Sequence, residues 1–451
     1  MVPIKVKGYL LAVFALLCTV ATANAQAITQ DSKPNKPINI DRASQLFALA
    51  KTLSDADGGK LWGVRLYGPI LFVDPQSRMI VTNKIDKQQQ LTKHSEDVYV
   101  GILPDEIGIA NTTTKWAGVS WAMVMWPPPR DPEWAASLLL HESFHRIQPK
   151  LGLKLSSPDN HHLDTADGRI WLRLEYRALA KTLNEVEPLD SAALRDALIF
   201  RNYRRSLFKL AKKEERLLEL NEGLAEYTGI KLCGADEQTQ YKRAVMNLKM
   251  HDQSSPLVRR FAYGSGPAYG LLLDKAKPGW QREPGKTVDY GKQLQRAIGY
   301  RLPRDLKQQA LSRAEQYNFE KLSKEEIDRD NARKEKLAAY RKKYVDAPLL
   351  LLDMIGDYNY SFNPGNMQAL DGIGTVYGTM ELSAPWGILK VTGGALMIET
   401  PKGLRRILVP APQDTGKFST NEYQGEGWTL KLNSGYTLIP GPRSGDYSIT
   451  P

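Results

Sequence analysis

The chain has 451 residues, a formal charge of +11 and two cysteines, Cys18 and Cys233. That length can bury a large core and is enough for two or three structural units. Cys18 falls in an apolar leader, so one cysteine remains in the mature chain and an intramolecular disulfide is excluded. No nucleic-acid-binding motif and no repeat of about 20–50 residues is present.

Residues 1–25 read as a secretory signal. Lys5 and Lys7 form a basic region, residues 9–20 an apolar run, and Ala23-Asn24-Ala25 a small-residue cleavage site. The run is too short for a membrane anchor, and no other apolar stretch approaches a span. An exported protein is expected, periplasmic or secreted, with no stable membrane span. Residues 26–40 carry Pro34 and Pro37 and read as a flexible lead-in.

Helical spacing begins at 41–53, with Asp41 as candidate N-cap. Residues 61–67, 70–73, 79–82, 98–102 and 118–125 read as strands, with a turn at 74–77 and a stop at Pro127-Pro128-Pro129. Asp131-Pro132-Glu133 then opens a helix, with a capping carboxylate, a proline at the first position and an acid near the positive end. Pro149 ends it. Further helices are predicted over 167–183, 204–227, a short stretch after Gly270, and 321–344. From about residue 358, short strands (387–391, 395–399, 404–409, 428–432) alternate with turns, as in a small antiparallel β domain. The fold class is α+β, with one domain over 41–345 and a second over 346–451. Much of the positive charge lies between Arg201 and Lys343. It reads either as solvated helix surface or as attraction to an anionic envelope polymer.

His141-Glu142-Ser143-Phe144-His145 lies in the second half of the helix opened by Asp131. Two histidines four residues apart share one helical face and can reach one metal ion. The glutamate between them can act on a metal-bound water without being a ligand. One zinc ion is the expected cofactor, and it needs a third protein ligand and an open position. Gln148 and Leu151 stand where a longer histidine motif would need its glycine and third histidine. Glu222 and Glu175 are the candidates, and Cys233 reads as a thiolate ligand or, by the habit of free cysteine, as a buried apolar side chain.

Leu220-Asn221-Glu222-Gly223-Leu224-Ala225-Glu226 resembles the segment with which gluzincin metallopeptidases of the aminopeptidase-N family present their third ligand. The resemblance implies a zincin-like catalytic domain, a mixed sheet plus active-site helices, with His141, His145 and Glu222 on zinc and Glu142 as general base. In thermolysin-like relatives an acid at the position of Glu226 orients a ligand histidine. Tyr263-Gly264-Ser265-Gly266 is similar to that family's Tyr-x-x-Gly segment, so Tyr263 would stabilise the oxyanion, with Tyr269 in reserve. Two features depart from the pattern. Residues 146–221 form a long insertion between the histidines and Glu222, and no Gly-x-Met-Glu-Asn loop precedes His141 to bind a free amine. The resemblance therefore implies an exported zinc metallopeptidase acting on a peptide or protein substrate, with endo- or exo-cleavage open. The strand 119–125 is a candidate substrate-binding edge. A zinc-stabilised envelope binding protein and a zinc hydrolase of a cell-wall amide are the alternatives.

Overall fold

The computed structural model describes residues 37–153, 156–253, 257–282, 289–363, 366–370, 372–401, 403–412 and 421–451. The signal at 1–25 and most of the lead-in lie outside the described residues. The first helix, α1 (Ile40–Asp57), is capped by Asn39, whose side-chain oxygen accepts from the Arg42 N–H at 2.8 Å; Asp41 falls inside the helix.

Six strands follow: β1 (Ile70–Val73), β2 (Met79–Thr82), β3 (Thr92–Ser95), β4 (Val98–Ile102), β5 (Thr112–Trp116) and β6 (Val119–Met125). Their order in the sheet is β3-β4-β2-β1-β6-β5, with β1 and β6 parallel and the other neighbours antiparallel. β1 is apolar at every position because both of its faces are covered. Ile70 and Phe72 pack toward α1, while Leu71 and Val73 pack with Trp116 and Trp121. Two expectations fail here. β6 lies between β1 and β5, so the edge is β5, a polar strand that carries no hydrophobic alternation. Residues 61–67 form no strand; Gly63 sits at φ 73°, and Trp62 and Leu66 are buried without joining a ladder.

α2 (Pro132–Ile147) begins as expected, with Asp131 accepting from the Trp134 N–H at 2.9 Å. Ala135 and Leu139 face the sheet, while Leu140, Phe144 and Ile147 face a helical core. Each large apolar side chain so buried contributes about 1.5–3 kcal/mol. That offsets the cost of carrying His141, Glu142 and His145 inside.

The helical core is built from α3 (Ala166–Leu183), α4 (Ala192–Leu207), α5 (Ala211–Leu218), α6 (Leu224–Leu232), α7 (Glu237–Asp252), α8 (Leu257–Ala276), α9 (Tyr290–Ala297) and α10 (Leu306–Ala314), followed by α11 (Phe319–Arg341). A π-helical turn, Glu219–Gly223, joins α5 to α6. The helix predicted over 204–227 is therefore the end of α4, α5, the π-helical turn and the start of α6, interrupted at Phe208 where α4 ends in extended backbone. The short helix expected after Gly270 is instead the second half of α8, which runs through Pro267.

The chain divides into two units, 1–326 and 327–451. The second holds a seven-stranded and a five-stranded sheet among its described residues, beginning at Leu349–Asp353 rather than near 358. Alternating burial in Met380–Ala384, Gly387–Val391 and Trp428–Leu432 follows the period of a strand. Leu350, Ile407 and Val409 of one sheet share a core with Leu382, Leu389 and Leu430 of the other. All pairs in this unit are antiparallel except Tyr447–Thr450 with Leu349–Asp353. No described helix is long and apolar enough to cross a membrane.

Candidate metal centre

α2 lays His141 and His145 side by side, and α6 is held against it by a close approach. A Cβ on Gly229 would fall 2.5 Å from the Ser137 carbonyl oxygen, so only glycine permits this spacing. The approach brings Glu226 Oε2 to 2.9 Å from His141 Nδ1, while Asn247 Nδ2 donates to the other oxygen at 2.9 Å. Just before α6, Gly223 meets Gly266 of α8, where a Cβ on Gly266 would lie 2.3 Å from the Gly223 Cα. That contact carries Tyr263 in beside Glu222.

The tautomer of His145 is set by Gln148. Its amide nitrogen donates to the carbonyls of Leu220 (2.9 Å) and Asn221 (3.1 Å), so its oxygen faces His145 Nδ1 at 2.8 Å and can only accept. Nδ1 of His145 is then the protonated nitrogen, as is Nδ1 of His141 against Glu226. Both Nε2 lone pairs are left pointing inward, 3.1 Å apart. Glu222 Oε2 lies 3.6 Å from the first and 3.4 Å from the second. Two lone pairs and a carboxylate oxygen facing one another repel unless a positive charge sits among them. His141, His145 and Glu222 could together hold a metal ion, with one donor atom each and all three within 4.8 Å of one another. Two imidazoles and a carboxylate are a donor set that suits zinc.

Glu142 is 3 % exposed, and its Oε2 has no hydrogen-bond partner among the described residues. Burial pushes its carboxyl above the ordinary range, against the pull of the two histidines. Burial likewise opposes charge on His141, but Glu222 and Glu226 outweigh it and raise its pKa well above the usual value, so a proton competes with a metal ion for Nε2. Burial also works against charge on Glu222, yet His145 and His141 hold it well below the carboxylate range. Tyr263 donates to Glu222 Oε2 at 2.6 Å and stacks on the His141 ring at 5.7 Å, 7° from parallel. His251 lies behind it, ring centroids 6.1 Å apart, with burial pushing its pKa down to about 4.

The remaining candidates go elsewhere. Glu175 accepts from Arg201, Arg204 and Tyr269, which places both it and the reserve Tyr269 in a buried ionic network. There Arg201, Arg204 and Arg205 face Glu175, Glu215, Glu219 and Asp289, and Glu215 also meets His162 at 2.8 Å. These three arginines of the 201–343 stretch do not belong to its solvated surface; their side chains lie inside the fold. Cys233 is buried and its thiol donates to the Ile230 carbonyl at 3.2 Å, away from the histidines. Sequence reasoning misses Gln148, Asn247 and His251. Only the place of Gln148 just past the second histidine could point to it. No protein-family model, curated protein or solved structure matches this chain.

Proposed function

We propose that this protein is a metal-dependent peptide-bond hydrolase whose first unit is zincin-like. The observation that carries the reading is the pair of inward Nε2 lone pairs, fixed by Glu226 and Gln148 and joined by Glu222, with the unpartnered Glu142 oxygen beside them. His141, His145 and Glu222 would hold zinc, which when bound lowers the pKa of water and polarises a carbonyl. Glu142 Oε2 would take the proton from the attacking water and deliver it to the leaving amine. Tyr263 would turn its hydroxyl from Glu222 to the developing oxyanion. The β5 edge, which pairs only with β6 among the described residues, offers main-chain hydrogen bonds to an extended peptide.

A zinc-stabilised binding protein of the envelope has no use for a buried carboxylate with a spare oxygen at Glu142, and the hydrolase reading accounts for it. The test is metal analysis of the purified protein together with cleavage of a diverse peptide library. Wild type should carry one equivalent of zinc and cleave peptides, with chelator abolishing both. Glu142→Gln should keep the metal and lose about 10²–10⁴-fold in rate. Metal-free wild type, or undiminished cleavage by the variant, defeats the reading.

A further inference from the structure

A cavity of about 260 Å³ opens between α4, α5 and α9, beside the ionic network, and none of its lining residues has a part in the proposed hydrolysis. The lining includes Arg201 and Asp289, which are buried, Arg205, whose side chain is 6 % exposed, and Lys212, Lys292 and Arg296, which are exposed. Among the described residues the last three pair with no carboxylate. Arg201, though 1 % exposed, has an Nε without an acceptor, held against α9 where Gly291 leaves no room for a side chain.

The charge balance narrows the ligand. The three arginines of the network face four carboxylates, an excess of one negative charge between them. Lys212, Lys292 and Arg296 reverse it and leave two positive charges over network and rim together. Lys212, Lys292 and Arg296 have no carboxylate of their own among the described residues, and a bound anion would supply their counter-charge against the opposing charge of Asp289 in the lining. The cationic residues of the lining lie on three helices, α4, α5 and α9. A tetrahedral oxyanion can accept from all of them, whereas a carboxylate accepts in one plane. The volume falls below the ~300–1,000 Å³ of pockets for drug-sized ligands, so the group is small.

We propose that this cavity is a binding site for phosphate, free or as a small phosphomonoester. It does not depend on the metallopeptidase reading. The test is calorimetric titration of the full chain with inorganic phosphate, and separately with glycerol 3-phosphate, at constant ionic strength in chloride. Saturable one-to-one binding is expected. The double variant Lys292→Ala/Arg296→Ala should weaken it by about tenfold or more, because each charge-assisted contact removed is worth that order. Both residues are exposed, so the variant should melt as wild type does. Tighter binding of glycerol 3-phosphate assigns the site to an ester, and binding of inorganic phosphate alone assigns it to the free ion. An unchanged isotherm in the double variant places the anion elsewhere, the metal centre included, and overturns the proposal. Equal binding of succinate overturns the phosphate class.

Discussion

Glu219 and Glu222 stand three residues apart on one helical turn and are both largely shielded from bulk water, yet their surroundings are opposite. Glu219 accepts from Arg201, Arg205 and Ser265, so the protein itself supplies its counter-charge. Glu222 faces two imidazole nitrogens whose protons lie on the far side of each ring, and its side-chain donors are Tyr263 and Asn221. Arginine is always charged and closes an ion pair permanently. Histidine leaves that charge to be supplied by a proton or by a metal ion. The contrast separates a network closed by the protein's own charges from the site proposed to take a metal ion.

The largest expected effect tests the closed side. Arg204→Met removes the shared partner of Glu175 and Glu215. Breaking a buried pair this way costs about 3–5 kcal/mol. The urea midpoint should fall accordingly, while zinc content per folded molecule stays the same. An unchanged midpoint would mean that the network contributes nothing to the fold. Next comes the open side. Gln148→Leu keeps both histidines but frees His145 to turn or change tautomer. Zinc affinity, measured by competition with a chelator of known strength, should drop about 10–100-fold. Equal affinity would show that the lone-pair direction is set by something other than Gln148.

A smaller effect appears in acid. Burial pushes the Asp289 carboxyl up, but Arg205 and Arg201 overcome this and hold it at about 2, against an ordinary 3.8. A depressed carboxylate stabilises the fold above its unfolded pKa, and that stability is lost as pH falls through the folded one. Wild type should therefore lose about 2 kcal/mol between pH 4 and 2 that Asp289→Asn does not lose, read from denaturation curves at each pH. Parallel pH profiles for the two proteins would remove Asp289 from the closed network.

How much is legible in the sequence depends on the range of each interaction. His141 and His145 are legible because one turn of helix brings them together whatever surrounds them. Glu222 and Glu226 are legible through a local motif. Gln148 is not, because its role depends on the Leu220 and Asn221 carbonyls far along the chain. The arginines of α4 look like surface charge until α3, α5 and α9 close over them. In α8 the glycines and Pro267 resemble the marks of a turn. Gly266 instead serves the contact with Gly223, and a tightly packed helix tolerates its proline because tertiary packing outweighs local propensity. The expectation of a strand over 61–67 fails in a similar way: its apolar residues are buried, but no neighbouring strand takes up their backbone.

The turn between the two glutamates is π-helical, with the Leu224 N–H reaching back to the Glu219 carbonyl. Such a turn is an α-helix that has taken in one extra residue. Each residue of helix turns the downstream chain by about 100°. Deleting a single residue between Glu219 and Gly223 would restore an unbroken α-helix and swing one of the two carboxylates off its partners. A gain or loss of one codon is thus enough to separate a purely structural helix from one that serves both the arginine network and the histidine pair.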